Sequence, residues 1–258
     1  MVHIRNFLCF ILFGFFLLAP AAIVVADELD HVRNDGVLRY AMSGQYPPFN
    51  FVDERNQLAG FDVEICDEIA RRMDVEGRPV STAWDGIVAG LLAKKYELIC
   101  GSMAITQERL AAIDFSDPYY RSGAQLFVRR GSPLRTAEDL AGHTVGVTLG
   151  TTYEAWVRDN LPQVEVRTYK GVPAMILDVV NGRLDGFITD RIVGTLAIED
   201  KGAPIDRAGG LLYEEQMGIA LRQENPALKA AINKALDEMR QDGTYREISL
   251  KWLKLDAR

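Results

Sequence analysis

"HTVGVTLGTTYEAWVRDNL", residues 143–161, decides the fold. Its first part reads as a strand ending at Gly150, and a threonine then stands where a helix N-cap belongs, ahead of the helical run "TYEAWVRDNL". The β-α rhythm continues with "EVRTY" (165–169) as a strand, "GVPAMILDVVNGR" (171–183) as a helix ended at Asn181-Gly182, and "LDGFITD" (184–190) as a strand.

The same rhythm runs through the first half. "VLRYAM" (37–42) alternates like a strand, and "GQYPPFNF" (44–51) is a loop carrying aromatics. "DVEICDEIARRM" (62–73) follows with apolar residues at Val63, Ile65, Cys66, Ile69, Ala70 and Met73, close to helical period. Next come a strand near 78–81, a helix in "AWDGIVAGLLAKK" (83–95), the strand "YELIC" (96–100) and, after the Asp-Pro turn of "FSDPYY", the strand "GAQLFVRR" (123–130). At the far end, "MGIAL" (217–221) reads as a strand, followed by the amphipathic helix "ENPALKAAINKALDEMRQDG" and the packing helix "TYREISLKWL".

Parallel strands in both halves predict an α/β protein of two lobes, each a mainly parallel sheet flanked by helices. Lobe 1 is expected at 27–122 plus 217–258 and lobe 2 at 123–216, with crossings near 121–125 and 213–219 forming a two-strand hinge.

Residues 1–26 carry Arg5, an apolar run from Phe7 to Leu18 and small residues before Asp27, which predicts a cleaved export signal and a periplasmic mature chain. Without Arg5, 28 basic residues face 36 acidic ones, a net charge of −8 that argues against nucleic acid or anionic lipid as partner. The mature chain keeps only His31 and His143, neither near a cysteine, so no metal and no cofactor is expected. Cys66 and Cys100 both sit in apolar contexts, and buried thiols are favoured over a bridge because spacing carries no geometry.

In sheets of this kind ligands bind beyond the carboxyl ends of the strands. Ser102 and Arg109 follow one such end, Gly150 to Thr152 follow another, and Asp190 closes a third. An arginine suits a carboxylate, helix-start N–H groups add donors, and an aspartate suits an ammonium, so Arg109, Thr152 and Asp190 together point to an α-amino acid.

Several long segments carry a resemblance: "YPPFNFVDERNQLAGFDVEICDEIARRM", "AWDGIVAGLLAKKYELICGSMAITQERLAAIDFSDPYYRSG", "VGVTLGTTYEA", "LDGFITD" and "DEMRQDGTYREISLKW". Nearly the whole mature chain resembles the bacterial extracellular solute-binding proteins of family 3, the periplasmic amino-acid receptors of ABC importers. The resemblance implies a ligand-gripping Arg109 helped by Ser102 and Thr152, an amine-binding Asp190, flanking aromatics at Tyr46 and Trp84, and second-lobe contacts at Thr148 and Gly150. It also implies a monomer that binds a free amino acid and docks on an inner-membrane permease.

Two positions depart from the family pattern. Ala104 replaces a common hydroxyl residue, and Ser43 stands where receptors for basic amino acids usually carry Asp. Ser43 tells against a cationic ligand, whereas the wording of "AWDGIVAGLLAKKYELI" is most similar to the basic amino acid and opine receptors, so a polar ligand is expected, with basic and opine-like amino acids as candidates. The alternative is a cyclohexadienyl dehydratase on the same fold, for which Glu154 is the candidate proton donor.

Overall fold

The computed structural model describes residues 27–258, so the expected export signal at 1–26 lies outside the described residues. Asp27 accepts the Leu29 N–H and starts α1 (Glu28–Asp35). Then come β1 (Val37–Met42), β2 (Gln45–Tyr46), β3 (Asn50–Val52), β4 (Leu58–Ala59), α2 (Phe61–Arg72) and β5 (Glu76–Ser81). A 3₁₀ turn at Trp84–Gly86 runs into α3 (Ile87–Leu92), followed by β6 (Leu98–Ala104), α4 (Gln107–Leu110), β7 (Asp114–Phe115) and β8 (Tyr120–Arg129).

The second series is β9 (Thr144–Thr148), α5 (Thr152–Asn160), β10 (Glu165–Tyr169), α6 (Val172–Val180), β11 (Gly186–Asp190) and α7 (Arg191–Glu199). The long β12 (Ile205–Leu221), α8 (Pro226–Asp242) and α9 (Thr244–Leu253) complete the chain. Thr151 caps α5, its hydroxyl accepting the Glu154 N–H, and Gly243 in the left-handed region closes α8.

β5, β1 and β6 pair in parallel in one lobe, and β10, β9 and β11 pair in parallel in the other. Two separate sheets are expected from the β-α rhythm, but the hydrogen-bonded ladder is continuous, in the order β10-β9-β11-β8-β12-β6-β1-β5. The reason is that the crossing strands pair antiparallel with each other, Arg121 opposite Gln216 and Ala124 opposite Tyr213, while each also borders one parallel set. A small antiparallel sheet, β2-β3-β4, hangs over the first lobe's strand ends and carries the aromatic loop.

The apolar face of α2 is buried as its periodicity predicts, with Ile65, Cys66, Ile69 and Ala70 fully enclosed. That face lies over β6, and here the expectation of free thiols is overturned: Cys66 and Cys100 form a disulfide, their Cα atoms 6.6 Å apart. Packing of the helix on the strand brings together two sulfurs that sequence spacing left unrelated.

Candidate functional site

Between the strand ends of the two lobes lies a narrow, partly enclosed cavity of about 40 Å³. Arg109 reaches it from the short α4, whose start is fixed by Thr106 accepting the Arg109 N–H. The guanidinium is aimed by the Ala104 carbonyl, which accepts from Nη1 at 2.8 Å, and stands 6.0 Å over the Trp84 ring. Among the described residues no carboxylate oxygen lies within salt-bridge distance of it. Burial therefore lowers the Arg109 pKa, with the Glu215 charge opposing that shift.

The other walls hold most of the residues expected from the sequence. Ser43, Tyr46, Trp84, Ser102 and Ala104 line the cavity from the first lobe, and Thr148 and Thr152 line it from the second. Ala104 contributes its carbonyl rather than a hydroxyl. Trp84 reaches across the cleft and donates its indole N–H to the Gly150 carbonyl at 3.2 Å. Gly150 faces that indole but lines a neighbouring, more open cleft rather than this cavity. The Tyr46 and Tyr153 hydroxyls meet across the cleft at 3.3 Å, and both phenols are raised well above their usual pKa by burial.

Ser102 sits at φ 57°, an unusual conformation for a residue with a side chain. Its hydroxyl turns away from the cavity toward Asp62, donating to Oδ2 at 2.9 Å, while its N–H donates to the Tyr119 hydroxyl. Asp62 also receives Tyr119 O–H at 2.6 Å and Asn50 Nδ2 at 2.7 Å. The Asn50 amide oxygen then accepts from Ser43 Oγ and Gly44 N. One buried carboxylate thus ties the end of β6 to the aromatic loop, and burial pushes it up to about 6 despite these donors.

Asp190 is fully buried at the end of β11, where Oδ1 accepts from Ser122 Oγ and from the Ile192 N–H, capping α7. It is not among the residues that line the cavity, and its Oδ2 is unpartnered. Burial pushes its carboxyl up to about 7, against the two donors. The acid that does line the cavity is Glu215 of β12, which sequence reasoning missed. Burial raises its pKa while the nearby Thr152 hydroxyl and Arg109 charge hold it down. The available signal was the alternation Tyr213, Glu215, Met217 along a crossing strand, but adjacent Glu214 makes the pair look like a solvated acidic patch. Glu154, the candidate proton donor, lies outside this cavity, accepting from Gly150 N and from Arg158.

Comparison with known proteins bears on this geometry. Residues 38–255 match the family model of bacterial extracellular solute-binding proteins, family 3. The chain is 37% identical over 236 residues to the L-cystine-binding protein TcyJ of Escherichia coli (strain K12), covering 90% of this chain and 89% of that one. It is 32% identical to the putative ABC transporter arginine-binding protein 2 of the same organism, covering 90% and 96%. The crystal structure of an ancestral amino acid-binding protein, AncCDT-1, a precursor of cyclohexadienyl dehydratase, superposes with a TM-score of 0.83 at 32% identity, covering 87% and 99%. On its fold, its interlobe cavity and these matches, the chain belongs to the bacterial extracellular solute-binding proteins of family 3.

Proposed function

We propose that this chain is the periplasmic receptor of an ABC importer for a free polar amino acid, gripped between lobe 1 (27–122 and 217–258) and lobe 2 (123–216). The observation that carries the reading is Arg109: a buried guanidinium, aimed by a backbone carbonyl, without a carboxylate partner, on the wall of a cleft that opens onto the start of α5. A ligand α-carboxylate supplies the missing partner, with the Thr152 N–H as a further donor. Asp190 serves the ammonium, and Tyr46 and Trp84 flank the side chain. Ser102 acts through its backbone, since its hydroxyl is committed to Asp62. Thr148 and Gly150 shape the second-lobe wall.

The cystine and arginine specificities in the names of the relatives make both amino acids first candidates here. Without an acid at position 43, a cationic side chain is served by the Trp84 face. Contacts from both lobes coexist only in the closed form, so the ligand selects closure and the closed surface is what an inner-membrane permease reads. The receptor acts as an exported monomer, its signal 1–26 removed. Glu154, the proton donor named for the dehydratase alternative, does not line this cavity and is paired to Arg158.

A thermal-shift screen of ligand-stripped protein 27–258 against L-arginine, L-ornithine, L-glutamine, L-cystine, octopine and prephenate tests this reading. It predicts a rise in melting temperature with at least one amino acid or opine, abolished in Arg109→Ala. A response to prephenate alone, with product formed, overturns it.

A further inference from the structure

Glu215 and Asp190 lie on either side of one hydroxyl in the hinge. Glu215 on β12 is directly opposite Ser122 on β8 in the antiparallel ladder, and Ser122 Oγ donates to Asp190 Oδ1 at 2.9 Å. Asp190 is itself opposite Ala124, two residues further along the same strand. Each acid keeps one buried oxygen, Glu215 Oε2 and Asp190 Oδ2, without a hydrogen bond of good geometry, although the Thr152 and Tyr153 hydroxyls stand close to Glu215, and the Tyr120 and Tyr213 hydroxyls are unpartnered too. Acceptors buried without donors are costly, so two in adjacent carboxylates mark a place built for a cationic donor.

The charged and titratable groups around them are few. Asp190 faces Tyr46 of β2, Tyr120 of β8, Tyr153 of α5, and Tyr213 and Glu215 of β12; Glu215 faces Arg109 of α4, Tyr46, Tyr153 and Tyr213, and Lys170 lines the same cavity. Arg109 is the cation that faces Glu215, and the proposed ligand carboxylate engages it.

Resting on the reading of the cleft as an amino-acid site, we propose that Glu215 is a second acid of the ammonium seat, and that a proton and the ligand ammonium are alternative occupants of the Glu215–Asp190 pair. When the cleft is empty, burial of the pair favours retention of a proton. When R–NH₃⁺ enters, that proton leaves to solvent and both carboxylates accept from the ammonium. The pair exchanges one positive charge for another, and no other bond is made or broken. Affinity for any α-ammonium ligand then falls as pH drops below 7 and the proton competes.

Isothermal titration of the 27–258 protein with L-arginine, L-glutamine and L-cystine, each in phosphate and in Tris buffer from pH 6 to pH 8, tests this. The buffer dependence of the enthalpy counts protons. The expected release is a fraction of a proton per ligand at pH 7, larger at pH 6 and smaller at pH 8. Glu215→Gln should weaken binding about 10- to 100-fold and shrink the release at pH 7. If a wild-type ligand binds with no buffer-dependent enthalpy, the inference is overturned while the amino-acid reading stands, and the wild-type count decides even where the variant fails to fold. A Glu215→Gln variant that is folded and binds within threefold of wild type also overturns it. If none of these three, nor L-ornithine or octopine, binds, both fall together.

Discussion

At the scale of single residues, the site is assembled from groups that the fold holds against their own preference. Asp190 binds its proton more tightly in the folded chain, at about 7 against an ordinary 3.8, because burial outweighs its two hydrogen bonds. Folding of the empty protein therefore takes up a proton between these values, and this contribution is harmless below pH 4 and becomes a growing cost as pH rises toward 7. Asp190→Asn keeps the side-chain oxygen that caps α7 but removes the charge. Urea melts of the ligand-free variant should show a gain of about 1–3 kcal/mol over wild type at pH 8, closing toward pH 4.5. A loss at both pH values would mean that the charge itself is structurally required. The strand-end logic that placed Arg109, Trp84 and Tyr46 at the cleft works because backbone topology alone fixes where such ends meet. It could not show that the Ser102 hydroxyl is committed to Asp62, that Asp190 is fully buried off the cavity lining, or that Glu215 is the acid on it. These depend on side-chain direction across a hinge, which the sequence pattern does not carry.

At the scale of elements, the β-α units were legible because each strand and helix buries a face with its own period. Short or two-sided elements were not. α7 follows β11 without a loop, and the first half of β12 is interrupted by Gly209-Gly210, where its pairing with β8 shifts register. The disulfide belongs here too, since it welds α2 to β6 beneath the cleft floor and closes a separation of 34 residues. Loop-closure entropy for a link of that span is worth about 3–4 kcal/mol. Calorimetry of the Cys66→Ala/Cys100→Ala double variant should show a melting temperature roughly 6–15 °C lower, with amino-acid binding retained at temperatures where the variant is folded. A second contact between elements crosses the cleft: Gly171, just before α6, packs on Gln45 of β2. A Cβ there would stand 2.4 Å from the Gln45 Cβ and 2.5 Å from its carbonyl oxygen. Backbone or Cβ must shift to admit it, so Gly171→Ala should weaken ligand binding about 10- to 100-fold while leaving the melting temperature of the empty protein unchanged. An unaltered affinity would place this contact outside the liganded state.

Across the whole molecule, the same two strands join the lobes, pair with each other and carry part of the site. Ser122 and Glu215 lie where β8 and β12 cross, and Arg109 and Thr152 approach from opposite sides. A ligand that satisfies Arg109 on one side and the hinge acids behind it bridges groups that meet only when the lobes are together, so binding energy and closure are one equilibrium. The empty protein carries the cost of an unpaired buried guanidinium, so removing it should leave the fold intact. The most direct test of this account is isothermal titration of ligand-stripped wild type and Arg109→Ala, side by side, with L-arginine, L-glutamine and L-cystine. The account predicts that at least one binds wild type, that the same amino acid binds Arg109→Ala at least about 100-fold more weakly, and that the variant melts no lower than wild type. Binding to the variant within a few fold of wild type would contradict it.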